Sequence, residues 1–171
     1  DGRNSLYRMS DARTIPDGPA TGPAKGAGLE GKDPAVHSSP ITQMGKTFDD
    51  ITGVNAHKNQ PAIEALAARG IIDGKSDGSF DPEGSMTRAE FAAIVVRALG
   101  LTPEGKNSFS DVAAEAWYAP YVGTAYSCGI ITGVGDGRFN PSGTITRQEA
   151  AVMVSRAAKL CGLETEMDNA A

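Results

Sequence analysis

GIIDGKSDGSFDPEGSMTRAEF at residues 70–91 decides how this chain folds, because GIITGVGDGRFNPSGTITRQEA at residues 129–150 repeats it without a gap. The Gly-Ile-Ile opening, the Asp-Gly pair, the Phe-x-Pro segment and the Thr-Arg-x-Glu segment recur in the same order. A Phe-x-Asp element precedes each copy, beginning at Phe48 and at Phe109. Self-similarity of this kind indicates a duplicated supersecondary unit.

The duplication divides the chain into two repeats and their connections. We assign repeat 1 to residues 48–101 and repeat 2 to residues 109–163, joined by a linker at 102–108. Residues 1–47 are rich in Gly and Pro and lack periodicity, which predicts a linker or the tail of an upstream region. Residues 164–171 are interpreted as the start of a linker toward a third repeat.

Each repeat is predicted to be helix–loop–helix with short extended segments, so the fold class is mainly α. The first helices are expected at about 58–68 and 117–127, where apolar residues fall at helical spacing. Helices this short are marginal alone and must pack against one another.

The second helix of each repeat has a well-specified start. Thr87 with Glu90, and Thr146 with Glu149, are spaced as capping boxes. In this motif the Thr oxygen accepts from the amide three residues on, and the Glu reaches back to the Thr amide. These four residues are therefore predicted to fix the helix starts.

Composition excludes several classes of protein. The formal net charge of −5 argues against nucleic-acid binding, which depends on Lys and Arg. No apolar run is long enough to span a membrane. The histidines, His37 and His57, form no recognisable catalytic set with a nucleophile, so no enzyme activity is predicted. Cys128 and Cys161 lack metal-ligand spacing and are either small buried hydrophobes or a disulfide pair.

No cofactor or metal is expected either. Asp73, Asp77 and Asp81 imitate three positions of a calcium loop, but Lys75 and Gly84 stand where such a loop needs oxygen ligands.

Taken together, these elements resemble the S-layer homology (SLH) family over about two thirds of the chain. The resemblance implies that repeats come in threes and that each gives one helix to a central three-helix bundle. Loops and second helices then form prongs, and the grooves between them bind secondary cell-wall polysaccharides, commonly with pyruvate ketals. An extracellular, wall-bound location follows from the same resemblance.

The chain departs from the family pattern in two respects. A Trp usually opens the first helix, and Trp117 does so in repeat 2, whereas repeat 1 has His57 and Lys58. Only two copies are visible, so we expect a third repeat in a longer protein. Otherwise the third helix would come from another chain, forming a homo-oligomer, or from the N-terminal segment. Independently of this, a segment such as 36–44 is a candidate to dock on the repeats.

Arg88 and Arg147 are the main candidates for polysaccharide contact. A capping box does not require Arg, and a cation at a helix N-terminus is mildly unfavourable, so an Arg in both copies suggests a function. A guanidinium binds a carboxylate in bidentate fashion. The resemblance implies that these arginines contact the anionic group; the alternative is a solvated surface role.

Five further residues are candidate contacts with an alternative structural role. The aromatic ring can stack on a sugar or cap the core, the glycines can admit polymer or satisfy a turn, and the aspartates can bind or form turns. They are Trp117, Gly74, Gly133, Asp77 and Asp136.

The sequence therefore predicts a non-catalytic anchoring module for an anionic, pyruvylated wall polysaccharide. The alternatives are a self-assembly unit of a surface layer and an inert accessory region of a secreted enzyme.

Overall fold

The computed structural model describes residues 33–106 and 108–163. These residues form four α-helices, α1 Gln60–Ala68, α2 Arg88–Ala98, α3 Ala119–Ser127 and α4 Arg147–Leu160. Apart from two short 3-10 turns and two isolated bridges, the described ranges hold no other regular element, so the predicted mainly α class is confirmed. None of the helices in these ranges is long and apolar enough to cross a membrane.

Local sequence explains where each helix begins. In α1 and α3, Pro61 and Pro120 lie in the first turn, where a missing N–H costs nothing and the fixed φ suits a helix. Both capping boxes are formed at α2 and α4. The hydroxyl oxygens of Thr87 and Thr146 each accept from a Glu amide at 3.2 Å. The glutamates in turn accept from the Thr amides at 2.7 and 2.9 Å.

The chain divides into two compact units, and the boundary falls inside repeat 1. The described part of the first unit is residues 39–82, which hold α1 and the loop after it. The second unit contains residues 33–38 and 83–163, so α2 of repeat 1 belongs with all of repeat 2.

The first unit has a small apolar core beneath α1. Ile63 and Ala67, one turn apart on α1, are buried. The remaining buried apolar residues come from the segments on either side of the helix and are Phe48, Ile51, Ile71 and Ile72.

The second unit is built around α2, which packs against both α3 and α4. Its core takes residues from all three helices and from the loop between α3 and α4. Fully or almost fully buried members are Ala92, Val96, Val122, Ala125, Ile130 and Phe139.

Residues 33–38 pack against the ends of the two second helices. The Asp33 amide donates to the Leu160 carbonyl at 2.7 Å, and the His37 amide donates to the Leu99 carbonyl at 2.9 Å. Val36 between them is buried in the same core. This segment therefore satisfies carbonyls that helix ends would otherwise leave unpaired.

Candidate functional site

The Phe-x-Asp element of each repeat holds the Phe-x-Pro segment in place. In repeat 2 the Asp111 carboxylate accepts from the amides of Phe139 and Asn140 at 2.8 and 2.7 Å. Asp50 makes the equivalent pair of bonds in repeat 1, at 2.9 and 2.7 Å. Sequence reasoning gave these aspartates no such role, although their recurrence ahead of Phe-x-Pro was the available signal.

Hydrogen bonding also sets the charge state of these carboxyls. Burial acts to raise the pKa of Asp111, but the bonds from Phe139 and Asn140 lower it, and the net pKa lies below the usual range. The pKa of Asp50 is lowered chiefly by its bond from the Phe80 amide. Both carboxylates are therefore ionised in the folded protein at neutral pH.

Gly74 and Gly133 lie in left-handed backbone, with φ of 77° and 81°. A Cβ on either residue would come within 2.6 Å of a carbonyl oxygen, that of Ser79 or of Arg138. The fold alone thus requires glycine at both positions. Their predicted contact with polymer stays a prediction.

Asp77 and Asp136 are exposed and lie in turns. The Asp77 carboxylate accepts from the Ser79 amide at 3.0 Å and from its hydroxyl at 2.7 Å, and these bonds lower the pKa of Asp77. Asp136 has a positive φ of 51°, and its carboxylate lies 3.6 Å from Arg138. Both aspartates have a turn role, and both side chains reach solvent.

Arg88 is buried, with 5% of its side chain exposed. Its Nε donates to the Phe139 carbonyl at 2.9 Å, and its guanidinium carbon lies 5.0 Å from the centre of the Phe139 ring. Its Nη1 donates to Glu149, the capping-box residue of repeat 2. Arg88 therefore joins its own helix to the loop and second helix of the next repeat. A polymer carboxylate would have to displace Glu149 to reach it.

Arg147 occupies the equivalent position on α4 but is exposed. Among residues 33–106 and 108–163, the structure records no hydrogen bond or ion pair of its side chain. Glu149, two residues further along α4, is bonded to Thr146 and Arg88, and these bonds lower the pKa of Glu149 with the Thr146 amide as the largest cause. The two copies of one motif thus present one buried and one solvent-facing guanidinium.

Trp117 is 56% exposed and belongs to an aromatic cluster at the start of α3. Its ring packs edge-on against Tyr118 at 5.5 Å and against Tyr121 at 6.3 Å. The guanidinium carbon of Arg97 lies over the Tyr121 ring, 4.8 Å from its centre. Within the described ranges the structure records no contact of Trp117 with Arg88 or Arg147. Trp117 therefore remains largely exposed beside these rings.

The described residues include no group of three or more potential metal ligands. Cys128 and Cys161 are half-buried, and neither forms a disulfide. Burial, with a smaller contribution from Asp33, raises the pKa of the Cys128 thiol.

Two capped helices, each beginning with an arginine and preceded by an aspartate-held loop, define a tandem-repeat module. The S-layer homology domain family matches residues 47–92 and 108–151, and the chain belongs to this family. Membership makes it a cell-surface anchoring module of a bacterial envelope and confirms the predicted location.

Relatives include both surface-layer proteins and enzymes. The chain is 35% identical to the S-layer protein sap of Bacillus anthracis over 71% of its own length and 15% of that protein. It is 39% identical to the surface-layer 125 kDa protein of Lysinibacillus sphaericus over 67% of the chain and 10% of that protein. It is 42% identical to endo-1,4-beta-xylanase A of Thermoanaerobacterium saccharolyticum over 65% of the chain and 9% of the enzyme. The chain therefore spans only a small part of each relative.

Proposed function

We propose that this module binds an anionic secondary cell-wall polysaccharide, with a pyruvate-ketal carboxylate held by Arg147. The observation that supports this most directly is the exposure of that guanidinium on a helix whose start is fixed by Thr146 and Glu149. Amides in the first helical turn also favour an anion. Trp117, which is 56% exposed, supplies an aromatic ring that can stack on a sugar.

Arg88 indicates which chemistry suits an arginine at this position. Its guanidinium meets a carboxylate, a carbonyl oxygen and an aromatic ring together. A pyruvylated sugar offers the carboxylate and further oxygens in one ligand, so it can supply equivalent partners to Arg147. The proposal assigns the principal contact to Arg147, while contact through Arg88 would require release of Glu149.

The proposed function is non-catalytic. Retention on the wall would come from several weak contacts acting together, so that avidity rather than a single tight site holds the protein. Because the net charge is −5, long-range attraction of an anionic polymer is not expected, and local contacts must provide the affinity.

Co-sedimentation with wall sacculi tests this proposal. We expect the chain to pellet with intact sacculi, but not after the secondary polymer is stripped or after mild acid removes its pyruvate ketals. Arg147→Ala should weaken pelleting by at least about tenfold, since a charge-assisted bidentate pair contributes about 1.5–3 kcal/mol. Arg147→Lys should restore only part of the binding, because an ammonium group cannot form the two parallel hydrogen bonds that a planar guanidinium makes to a carboxylate.

Lys159→Ala is the matched control, since Lys159 is an exposed cation on the same helix. It should pellet like the parent chain. If both variants lost binding to the same extent, the loss would reflect the removal of a positive charge in general. That result would count against a defined site at Arg147. Unchanged binding to sacculi without ketals would rule out pyruvate as the recognised group.

A further inference from the structure

The aromatic cluster at the start of α3 has no equivalent in repeat 1. Its members, Trp117, Tyr118 and Tyr121, stand within five consecutive positions. The residues at the equivalent positions of repeat 1 are Lys58, Asn59 and Ala62. Helices α1 and α3 nevertheless begin at equivalent residues, Gln60 and Ala119, and each has a Pro in its first turn. Formation of the helix therefore does not require the aromatic residues, which points to a role beyond folding.

Trp117 is the exposed member of this cluster. Tyr118 and Tyr121 pack partly against the core of the second unit, whereas Trp117 is 56% exposed. The two tyrosine rings meet the indole edge-on, with centres 5.5 and 6.3 Å from its own. An aromatic ring that its neighbours already hold in place loses little freedom when a ligand stacks on it.

Arg97 holds the cluster against α2, the second helix of repeat 1. Its Nη2 donates to the Tyr121 hydroxyl at 3.2 Å, and its guanidinium lies over the Tyr121 ring. A hydroxyl that accepts a hydrogen bond still has its own proton to donate. The cluster therefore combines apolar rings with a hydroxyl donor. This combination matches an uncharged sugar, which has C–H groups on its ring and hydroxyl groups around it.

The cluster and the start of α4 lie toward opposite ends of α2. Arg88, the first residue of α2, donates to Glu149, which follows Arg147 by two positions. Arg97, in the last turn of α2, contacts Tyr121. Nine residues of α-helix between the two arginines rise about 14 Å. A single sugar ring is too small to reach both ends, whereas a polysaccharide chain can extend across them.

We propose that Trp117, Tyr118 and Tyr121 form a second polysaccharide subsite, which holds an uncharged sugar of the polymer whose ketal-bearing sugar is held at Arg147. This inference rests on the proposed function and adds that one polymer chain spans two subsites. A stacked ring contributes little by itself, so the aromatic subsite adds affinity only to a chain already held at Arg147.

Fluorescence and calorimetry with two fragments of the wall polymer test this inference. The fragments are the ketal-bearing monosaccharide and the same sugar extended by several uncharged sugars. Trp117 is the only tryptophan in the sequence, so its emission reports on the aromatic subsite alone. The monosaccharide should bind without changing that emission. The longer fragment should bind about two- to tenfold tighter and shift the emission to shorter wavelength, because the stacked indole loses contact with water.

Trp117→Ala should abolish the tighter binding of the longer fragment and leave the affinity for the monosaccharide unchanged. Tyr126→Ala is the matched control, since Tyr126 is 44% exposed on the same helix but packs on Phe109, with ring centres 5.1 Å apart. This control should keep the preference for the longer fragment. Circular dichroism should show that both variants retain the parent helix content.

Unchanged emission at saturation with the longer fragment would overturn the inference, while binding that depends on the ketal would leave the proposed function standing. An equal loss of affinity for both fragments in Trp117→Ala would overturn it too, because the aromatic cluster would then not be a separate subsite. If neither fragment binds the parent chain, the proposed function fails and this inference fails with it.

Discussion

At the scale of single residues, Arg88 and Arg147 show how one motif gives two environments. Both follow a capping Thr and precede a capping Glu by two positions. Arg88 is buried because residues of the next repeat surround it, and Arg147 is exposed on the outer face of α4. The environment of this arginine therefore depends on whether residues of another repeat pack around it.

Substitution of the two arginines should separate these roles. Arg88→Ala should lower the free energy of unfolding by about 2–3 kcal/mol, because hydrogen bonds to the Phe139 carbonyl and to charged Glu149 are lost. Arg147→Ala should change it by no more than about 0.5 kcal/mol, as is usual for exposed positions. Urea unfolding followed by circular dichroism measures both. Equal effects would mean that the contacts of Arg88 contribute little to stability.

At the scale of elements, the structure shows which features local sequence specifies. The starts of α2 and α4 could be predicted because a capping box joins residues only three positions apart. The burial of Arg88 could not be predicted from local sequence, because its partners lie 51 and 61 positions away. The local motif at Arg147 is the same, although Arg147 is exposed. The hydrogen bonds of Asp111 to the Phe-x-Pro segment also cross 28 positions or more.

The loop element held by Asp111 gives a prediction about pH. Because the folded pKa of Asp111 is lowered, the unfolded chain binds more protons as the pH falls. Its stabilising effect is complete above the unfolded pKa of about 3.9 and is lost as the pH falls through the lower folded pKa. Asp111→Asn should cost about 1–3 kcal/mol at neutral pH and should reduce the acid sensitivity of the urea midpoint below about pH 4.

Asp136→Asn is the matched control for that measurement. Asp136 lies in the same loop with 88% of its side chain exposed. Its replacement should leave the urea midpoint at neutral pH close to that of the parent chain. If Asp111→Asn gave the same urea midpoint as this control, the two hydrogen bonds that Asp111 accepts from backbone amides would not be what stabilises the loop.

At the scale of the whole molecule, the second helices of the two repeats differ in what covers them. Residues of repeat 2 cover one face of α2, while the same face of α4 is exposed. The proposed contact with wall polysaccharide therefore uses Arg147, the one of the two motif arginines that is open to solvent.

This difference predicts that a short fragment of the wall polymer binds at one arginine only. The guanidinium of Arg88 has both a carboxylate and a carbonyl partner and is 5% exposed, so it cannot also hold a sugar carboxylate. A short pyruvylated fragment should therefore saturate at about one fragment per chain in a calorimetric titration, since only Arg147 is open to it. The same fragment without its ketal should not bind. Saturation at two fragments per chain would mean that Glu149 is displaced and that Arg88 holds a ligand as well.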